Sequence, residues 1–273
     1  MALALRYALQ IHTKDKNTEF HPSRLFIWYW AKYVNGSTKV QYDVGCQIRD
    51  AIKSLAQQGC PPETLWPYPD VQVKFTTDTE PQKLPDKLVD IPAEAAQAAQ
   101  DYLNIKFQYF RIKEIEEIKK DKDENVKGAP TDPTSRVTQI KACIAEGYPV
   151  IFGIKKRALS DGKYWAPYRE VNCVDQGGIR VIKEPPEPRK GESLVGGHAM
   201  VITGFNRDIN RDPKVPMKDK LPGAFEVQNS WGNAMSRFYI PYSYFASEWV
   251  HDIWMIKIEG LLNDPHGTGK QWE

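Results

Sequence analysis

The chain has little of what marks metal, nucleic-acid or membrane proteins. Its four cysteines, Cys46, Cys60, Cys143 and Cys173, form no CxxC pair and no cluster with histidine. That excludes the common zinc patterns, so neither a metal nor another cofactor is expected. Four cysteines in 273 residues also impose no disulfide framework. Charge of one sign is scarce: the net charge is +2, and basic and acidic residues are interspersed. Nothing in that pattern suits nucleic acid. No apolar run approaches the length of a membrane span. Met1 to Tyr7 lacks the charged start and small-residue cleavage site of a signal peptide. Internal repeats and low-complexity tracts are missing too. With 41% hydrophobic and 26% charged residues, the composition is that of a soluble globular protein. A monomer is expected.

What is present changes character along the chain. Residues 1–11 read as a helix that is apolar around most of its circumference, broken only by Arg6 and Gln10, which predicts a buried helix. Its start has no capping residue. Ser23 is placed to cap a second helix, with Leu25, Phe26, Tyr29, Trp30 and Tyr33 on one face. A third helix is predicted over about 45–58, with Asp43 as a nearby cap, Ile48, Ile52 and Leu55 as its stripe and Gly59 as its stop. Pro61 to Tyr68 reads as an extended aromatic loop, and 93–102 as a short alanine-rich helix. Strands are expected at 107–112, 149–154, 198–205, 224–229, 237–241 and 252–258, with one more helix at 134–146. Residues 113–127, 183–193 and 206–221 read as polar or charged loops. A helical first half and a strand-rich second half predict an α+β protein of two lobes. The boundaries are expected at 1–104 for the helical lobe, 105–260 for the β-rich lobe and 261–273 for a tail.

Two segments carry chemistry. Gly196-Gly197-His198-Ala199-Met200 opens an apolar strand, and Val227-Gln228-Asn229-Ser230-Trp231-Gly232 closes one. A histidine can take the proton of a thiol and hold a thiolate–imidazolium pair, the reactive form of a thiol enzyme. An amide at the far imidazole nitrogen fixes the ring. An indole beside that amide keeps water from the bond. Glycines before the histidine let the backbone pass close to a substrate. His12, His21, His251 and His266 lack such a context and read as surface or structural residues. Cys60, Cys143 and Cys173 read as buried thiols, and Cys46 and Cys60 are held too far apart by the helix between them to pair.

The Gly197-His198-Ala199 and Asn229-Ser230-Trp231-Gly232 motifs resemble those of the papain family of cysteine peptidases. Further segments agree with its bacterial and viral-type branch: Ser23 to Tyr29; Asp43 and Gly45 followed by Ile48 to Lys53; Gly59-Cys60-Pro61; Glu63 with Trp66-Pro67-Tyr68; Phe238 to Tyr244; and Asp252 to Ile256. The resemblance implies a papain-like fold with a helical lobe, an antiparallel β-barrel-like lobe and a substrate cleft between them. It implies His198 as base, Asn229 as its orienter and Trp231 as the shield of that pair. It places Gly45, Cys46, Gln47 and Gly197 at the substrate, which would be a peptide or protein.

The family's nucleophile sits at the front of its central helix, and Met1 to Tyr7 matches the continuation of that helix. A catalytic cysteine is therefore expected just before Met1, with the oxyanion-hole glutamine further upstream. Without both, the chain as it stands is expected to be inactive. Three accounts are open at this point: a shortened or misassigned start, a pseudo-peptidase that keeps the cleft to bind peptides, or a substitute nucleophile, for which Cys46 alone has a plausible position.

Overall fold

The computed structural model describes residues 1–14, 20–34, 38–42, 44–68, 83–101, 103, 105–113, 117, 120, 132, 134–158, 164–169, 173–175, 179–184, 192–209, 222–230 and 236–261. The chain divides into two compact units, 1–109 with 256–273, and 110–255. The first division falls a few residues beyond the expected boundary. From Ile256 onward the chain counts with the first unit rather than the second.

Among its described residues the first unit has four α-helices: α1 (Ala2–Thr13), α2 (Arg24–Val34), α3 (Ile48–Gln58) and α4 (Ala93–Asp101). Leu5, Ala8 and Leu9 of α1 pack with Ile27 and Ala31 of α2, Ala51 and Leu55 of α3, and Ile258. A second cluster joins Leu25 and Phe26 of α2 to Trp66, Leu84, Leu88 and Ala95 and Ala99 of α4. Two packed faces leave α2 nearly encircled by apolar contacts, which is why its buried residues are Leu25, Phe26, Ile27, Ala31 and Lys32. The single stripe expected from the sequence is thus wider and rotated, and Tyr33 stands exposed. Ser23 caps α2 as expected: the Phe26 N–H donates to its Oγ at 3.2 Å, and the same hydroxyl donates to Trp66 O at 2.8 Å. Glu63 then fixes the aromatic loop by accepting from the Arg24 guanidinium, the Arg24 N–H and the Tyr68 N–H.

Helix α3 begins at Ile48 with Gln47 as an N-cap that makes no side-chain bond; Asp43, its expected cap, lies outside the described residues. Gly59 ends α3 in the left-handed region, at φ 67°, and its N–H bonds Leu55 O. A Cβ there would lie 2.0 Å from Ala99 O, inside the backbone of α4. Gly59→Ala is therefore expected to cost about 3 kcal/mol or more, the sum of dihedral strain and a backbone clash. A urea titration of the variant against the parent reads this as a lower midpoint at unchanged slope.

The second unit centres on a sheet, of which residues 105–109 and 256–261 count with the first unit. Its strands are β1 (Ile105–Ile112), β2 (Val150–Ala158), β3 (Tyr164–Trp165), β4 (Cys173–Asp175), β5 (Arg180–Ile182), β6 (Ser193–Asn206), β7 (Ala224–Gln228), β8 (Arg237–Pro241) and β9 (Val250–Leu261). They run in the order β1-β9-β2-β6-β7-β8-β5-β4, with β3 paired to β2. β2 pairs antiparallel with β3, β6 and β9, as do β4 with β5, β6 with β7 and β7 with β8, whereas β5 and β8 are parallel. Helix α5 (Thr134–Ala145) contributes Val137 and Ile140 to the core that Phe152, Ile154, Met200, Ile202, Phe225 and Val227 fill from the sheet. A single turn of helix, α6 (Tyr242–Phe245), adds Tyr242, Tyr244 and Phe245. Strands β3, β4 and β5 fall between 154 and 183, where no strand is expected from the sequence. They are two or three residues each, too short for alternation to stand out. Most of the charged stretches 113–127 and 206–221 lie outside the described residues.

Candidate active site

His198 lies in β6, opposite Ile154 of β2. Val201 pairs with Gln228 of β7, so Asn229, one residue past the end of β7, falls level with Met200. Residues two apart on a strand share a face. His198 is therefore the diagonal neighbour of Asn229, within reach of a polar side chain. The structure brings them together: His198 Nε2 meets Asn229 Oδ1 at 2.7 Å. The Ser230 N–H also points at that atom, at 2.8 Å. A backbone donor there identifies it as the amide oxygen, so the proton of the shared bond sits on Nε2. Asn229 is itself held: its N–H donates to Ser236 O at 2.8 Å, and its side chain is buried, 6% exposed for the residue.

The backbone around the histidine is shaped by two irregularities. Between Lys155 and Lys156 the β2–β6 pairing slips, and Gly196 is the extra residue, at φ +57°. That conformation suits glycine, and the bulge sets the direction of the strand just ahead of His198. A second slip inserts one residue of β9 between the pairs Ile151–Trp254 and Gly153–His251. Asp252, at φ 51°, sits in this bulge, and its carboxylate accepts from Trp254 Nε1. His251 thereby lies across Gly153 and Gly197: a Cβ on either would come 2.9 or 3.1 Å from its Nε2. Gly197 accordingly has a packing reason to lack a side chain, apart from any close approach to substrate. The sequence gives no signal for this neighbour of the motif beyond reading His251 as structural.

The first unit holds the other residues named from the sequence. Gly45, Cys46 and Gln47 are exposed, and a Cβ on Gly45 would meet nothing within 4 Å. The segment before them is anchored to α2. The buried Lys32 ammonium donates to Val40 O at 2.8 Å and Tyr42 O at 3.1 Å, and lies over the Trp28 ring. Trp28 Nε1 donates to Val44 O at 3.2 Å. Trp231 lies outside the described residues.

Cys46, Cys60 and Cys143 are free thiols; Cys60 is buried, Cys143 half-buried and Cys46 exposed, which rules out the Cys46–Cys60 pairing. The side chain of Cys173 lies outside the description. Desolvation is the largest cause in raising all three free thiols above the ordinary range, around the sulfur of Cys46 as well, although that residue as a whole is exposed. A raised thiol is a poor nucleophile at neutral pH. No group of three or more His, Cys, Asp or Glu able to hold a metal occurs among the described residues.

Burial also lowers the His198 imidazole below its usual value; the Asn229 bond opposes this and the nearby Lys156 ammonium adds to it. A neutral ring held at Nε2 can accept a proton at Nδ1, and the amide oxygen then stabilises the cation formed. The depressed value has a consequence for stability. Below about pH 6.5 the unfolded histidine takes a proton that the folded one resists, so stability falls as pH drops through that window and is full above it. His198→Gln is expected to remove this part of the pH dependence, at most about 1.4 kcal/mol per pH unit. Urea midpoints at pH 7.5 and 5.5 for both forms measure it.

No family model matches the chain. It is 28% identical over 261 residues to an uncharacterised peptidase C1-like protein of Acanthamoeba polyphaga mimivirus, an alignment covering 94% of the chain and 65% of that protein. The chain thus spans about two thirds of the length of this curated relative. Among solved structures it resembles xylellain, a cysteine protease from Xylella fastidiosa, with a TM-score of 0.62 and 29% identity over 94% of the chain and 76% of xylellain. In its α+β architecture and in these two likenesses, the chain resembles the papain-like cysteine peptidases.

Proposed function

We propose that this chain is the histidine- and asparagine-bearing part of a cysteine peptidase that cleaves peptide bonds through a thiol acyl-enzyme. The nucleophile is a cysteine that precedes α1. The observation that carries the reading is the 2.7 Å bond between His198 Nε2 and Asn229 Oδ1. It commits one nitrogen to an acceptor and assigns proton transfer to the other.

In this reaction His198 Nδ1 takes the thiol proton, and the thiolate adds to the scissile carbonyl carbon. The tetrahedral intermediate collapses as His198 returns the proton to the leaving amine, and the peptide's acyl half stays on sulfur. Water, losing a proton to the same nitrogen, then adds to the thioester, and the thiol leaves with that proton. Asn229 keeps the ring in plane at each transfer. Gly45 binds the peptide backbone, Cys46 and Gln47 lie near the pocket for its side chain, and Gly197 lets its strand pass close to the substrate. The protein works as a monomer on peptide or protein substrates.

The alternative is a non-catalytic peptide binder. The raised thiols at Cys46, Cys60 and Cys143 favour it for the chain as it stands, since none supplies a ready thiolate. A fluorogenic peptide assay separates the two. The chain alone is expected to be silent, and a form extended by the codons before Met1 is expected to turn over substrate and to be stopped by a thiol alkylator. Turnover by the chain alone that alkylation abolishes would overturn the missing-nucleophile reading. Silence of the extended form, with retained peptide binding, would favour the binder.

A further inference from the structure

Tyr168 sits in a part of the chain to which the sequence assigns no role. Its ring centroid lies 4.8 Å from that of His198, with the planes 31° apart. The two rings are in contact in a tilted arrangement, one leaning over the other. The tyrosine is 3% exposed and belongs to the main core of the second unit.

Its position is set by the fold. Strand β3 pairs with β2 through Arg157–Trp165 and ends there, and Tyr168 lies in the segment that follows. The chain turns at this point: the Arg169 N–H donates to Ala166 O at 3.2 Å, closing a turn with Pro167 at its second position. Proline fixes the backbone there, as it does at that place in common turns. A buried aromatic on a closed turn has little freedom, so it makes a rigid wall.

We infer that Tyr168 is a positioning residue for His198. Asn229 fixes one nitrogen, but a single hydrogen bond leaves the imidazole free to rock about it. The tyrosine face removes that freedom and, with Asn229, defines the ring plane. The contact also covers the imidazole from water, in keeping with burial as the main cause of its lowered basicity. Lys156, which favours the neutral ring, and the uncharged Asn229 also bear on His198. The phenol of Tyr168 is itself pushed up to about 12, mainly by burial, so it stays neutral throughout the working range.

The inference takes His198 as the base proposed above, yet its test needs no turnover, so the two fail in different experiments. Long-range proton–nitrogen NMR of the chain as it stands reports the His198 tautomer and its titration. Parent and Tyr168→Phe are expected to show the Nε2–H tautomer with the same titration midpoint. Tyr168→Leu is expected to show a mixed tautomer and a midpoint moved toward the ordinary histidine value. A folded Tyr168→Leu variant with unchanged His198 signals overturns the inference.

A second arm covers a leucine variant that does not fold. In Asn229→Ala, the His198 Cε1–H and Cδ2–H resonances are expected to keep the upfield displacement that the tyrosine ring imposes. Collapse of that displacement means that Asn229 alone holds the ring, and the inference fails. In the extended enzyme, Tyr168→Leu is expected to lower kcat about tenfold or more with KM nearly unchanged, because the loss lies in proton transfer and not in peptide binding. Tyr168→Phe is expected to restore the parent kcat.

Discussion

Replacing His198 by alanine in the extended peptidase is expected to lower kcat/KM by about four orders of magnitude or more, with KM changed little. Two roles are lost at once. The thiol keeps its proton at neutral pH, and the leaving amine finds no acid. Asn229→Ala is expected to cost less, about tenfold to a thousandfold, because the imidazole survives and only its orientation and cation stabilisation go. The double variant should match His198→Ala alone, since an orienter has nothing left to orient. Such non-additivity marks residues acting as one unit. Peptide turnover by the four forms at pH 7 measures the cycle. Losses that multiply in the double variant would mean that Asn229 acts on substrate independently. A His198→Ala form retaining a tenth of the parent rate would remove His198 as the base.

The site was legible in the sequence to the extent that it is built from local motifs. A histidine after two glycines and an Asn-Ser-Trp-Gly run each name a residue type with one dominant chemistry, and sheet register then joins them. Five helices were also readable, the second because Ser23 is a cap with a donor in reach and the third because Gly59 is a stop that only glycine fits. What escaped was set by tertiary geometry. Tyr168 meets His198 only because β3 pairs with β2 and a turn folds back. His251 reaches Gly197 only through a one-residue bulge in β9. Nothing in the sequence marks Lys32 as buried, but its ammonium sits on two carbonyls and an indole face. Nothing marks Arg136 either, yet it is fully buried, with its guanidinium on Ser247 O and Val250 O. Periodicity records which face is apolar; it does not record which long cationic side chains find carbonyls inside.

Removing Glu192 is expected to destabilise the second unit by about 3–5 kcal/mol, the cost of stripping a buried cation of its carboxylate. Arg157 lies in β2 with its guanidinium on Glu192 Oε2 at 2.7 Å, and the two side chains are only 5% and 6% exposed. The same guanidinium stands 5.4 Å from the Trp165 ring centroid and 5.1 Å from that of Trp249, which are themselves packed edge-on at 5.5 Å. The indoles attract the cation but cannot replace a full negative charge, so Glu192→Ala leaves Arg157 to seek water through a packed core. Glu192→Gln should cost less, because an amide oxygen still accepts the hydrogen bond. Exchanging both partners, as Arg157→Met with Glu192→Met, should cost far less than Glu192→Ala alone, because neither desolvated charge remains and methionine fits between indoles. Urea denaturation of the three variants at pH 7 gives the comparison. If Glu192→Ala and the double variant lose equally, the pair contributes through packing alone. If Glu192→Ala loses under 1 kcal/mol, the ion pair behaves like an exposed one and its burial carries no energetic weight.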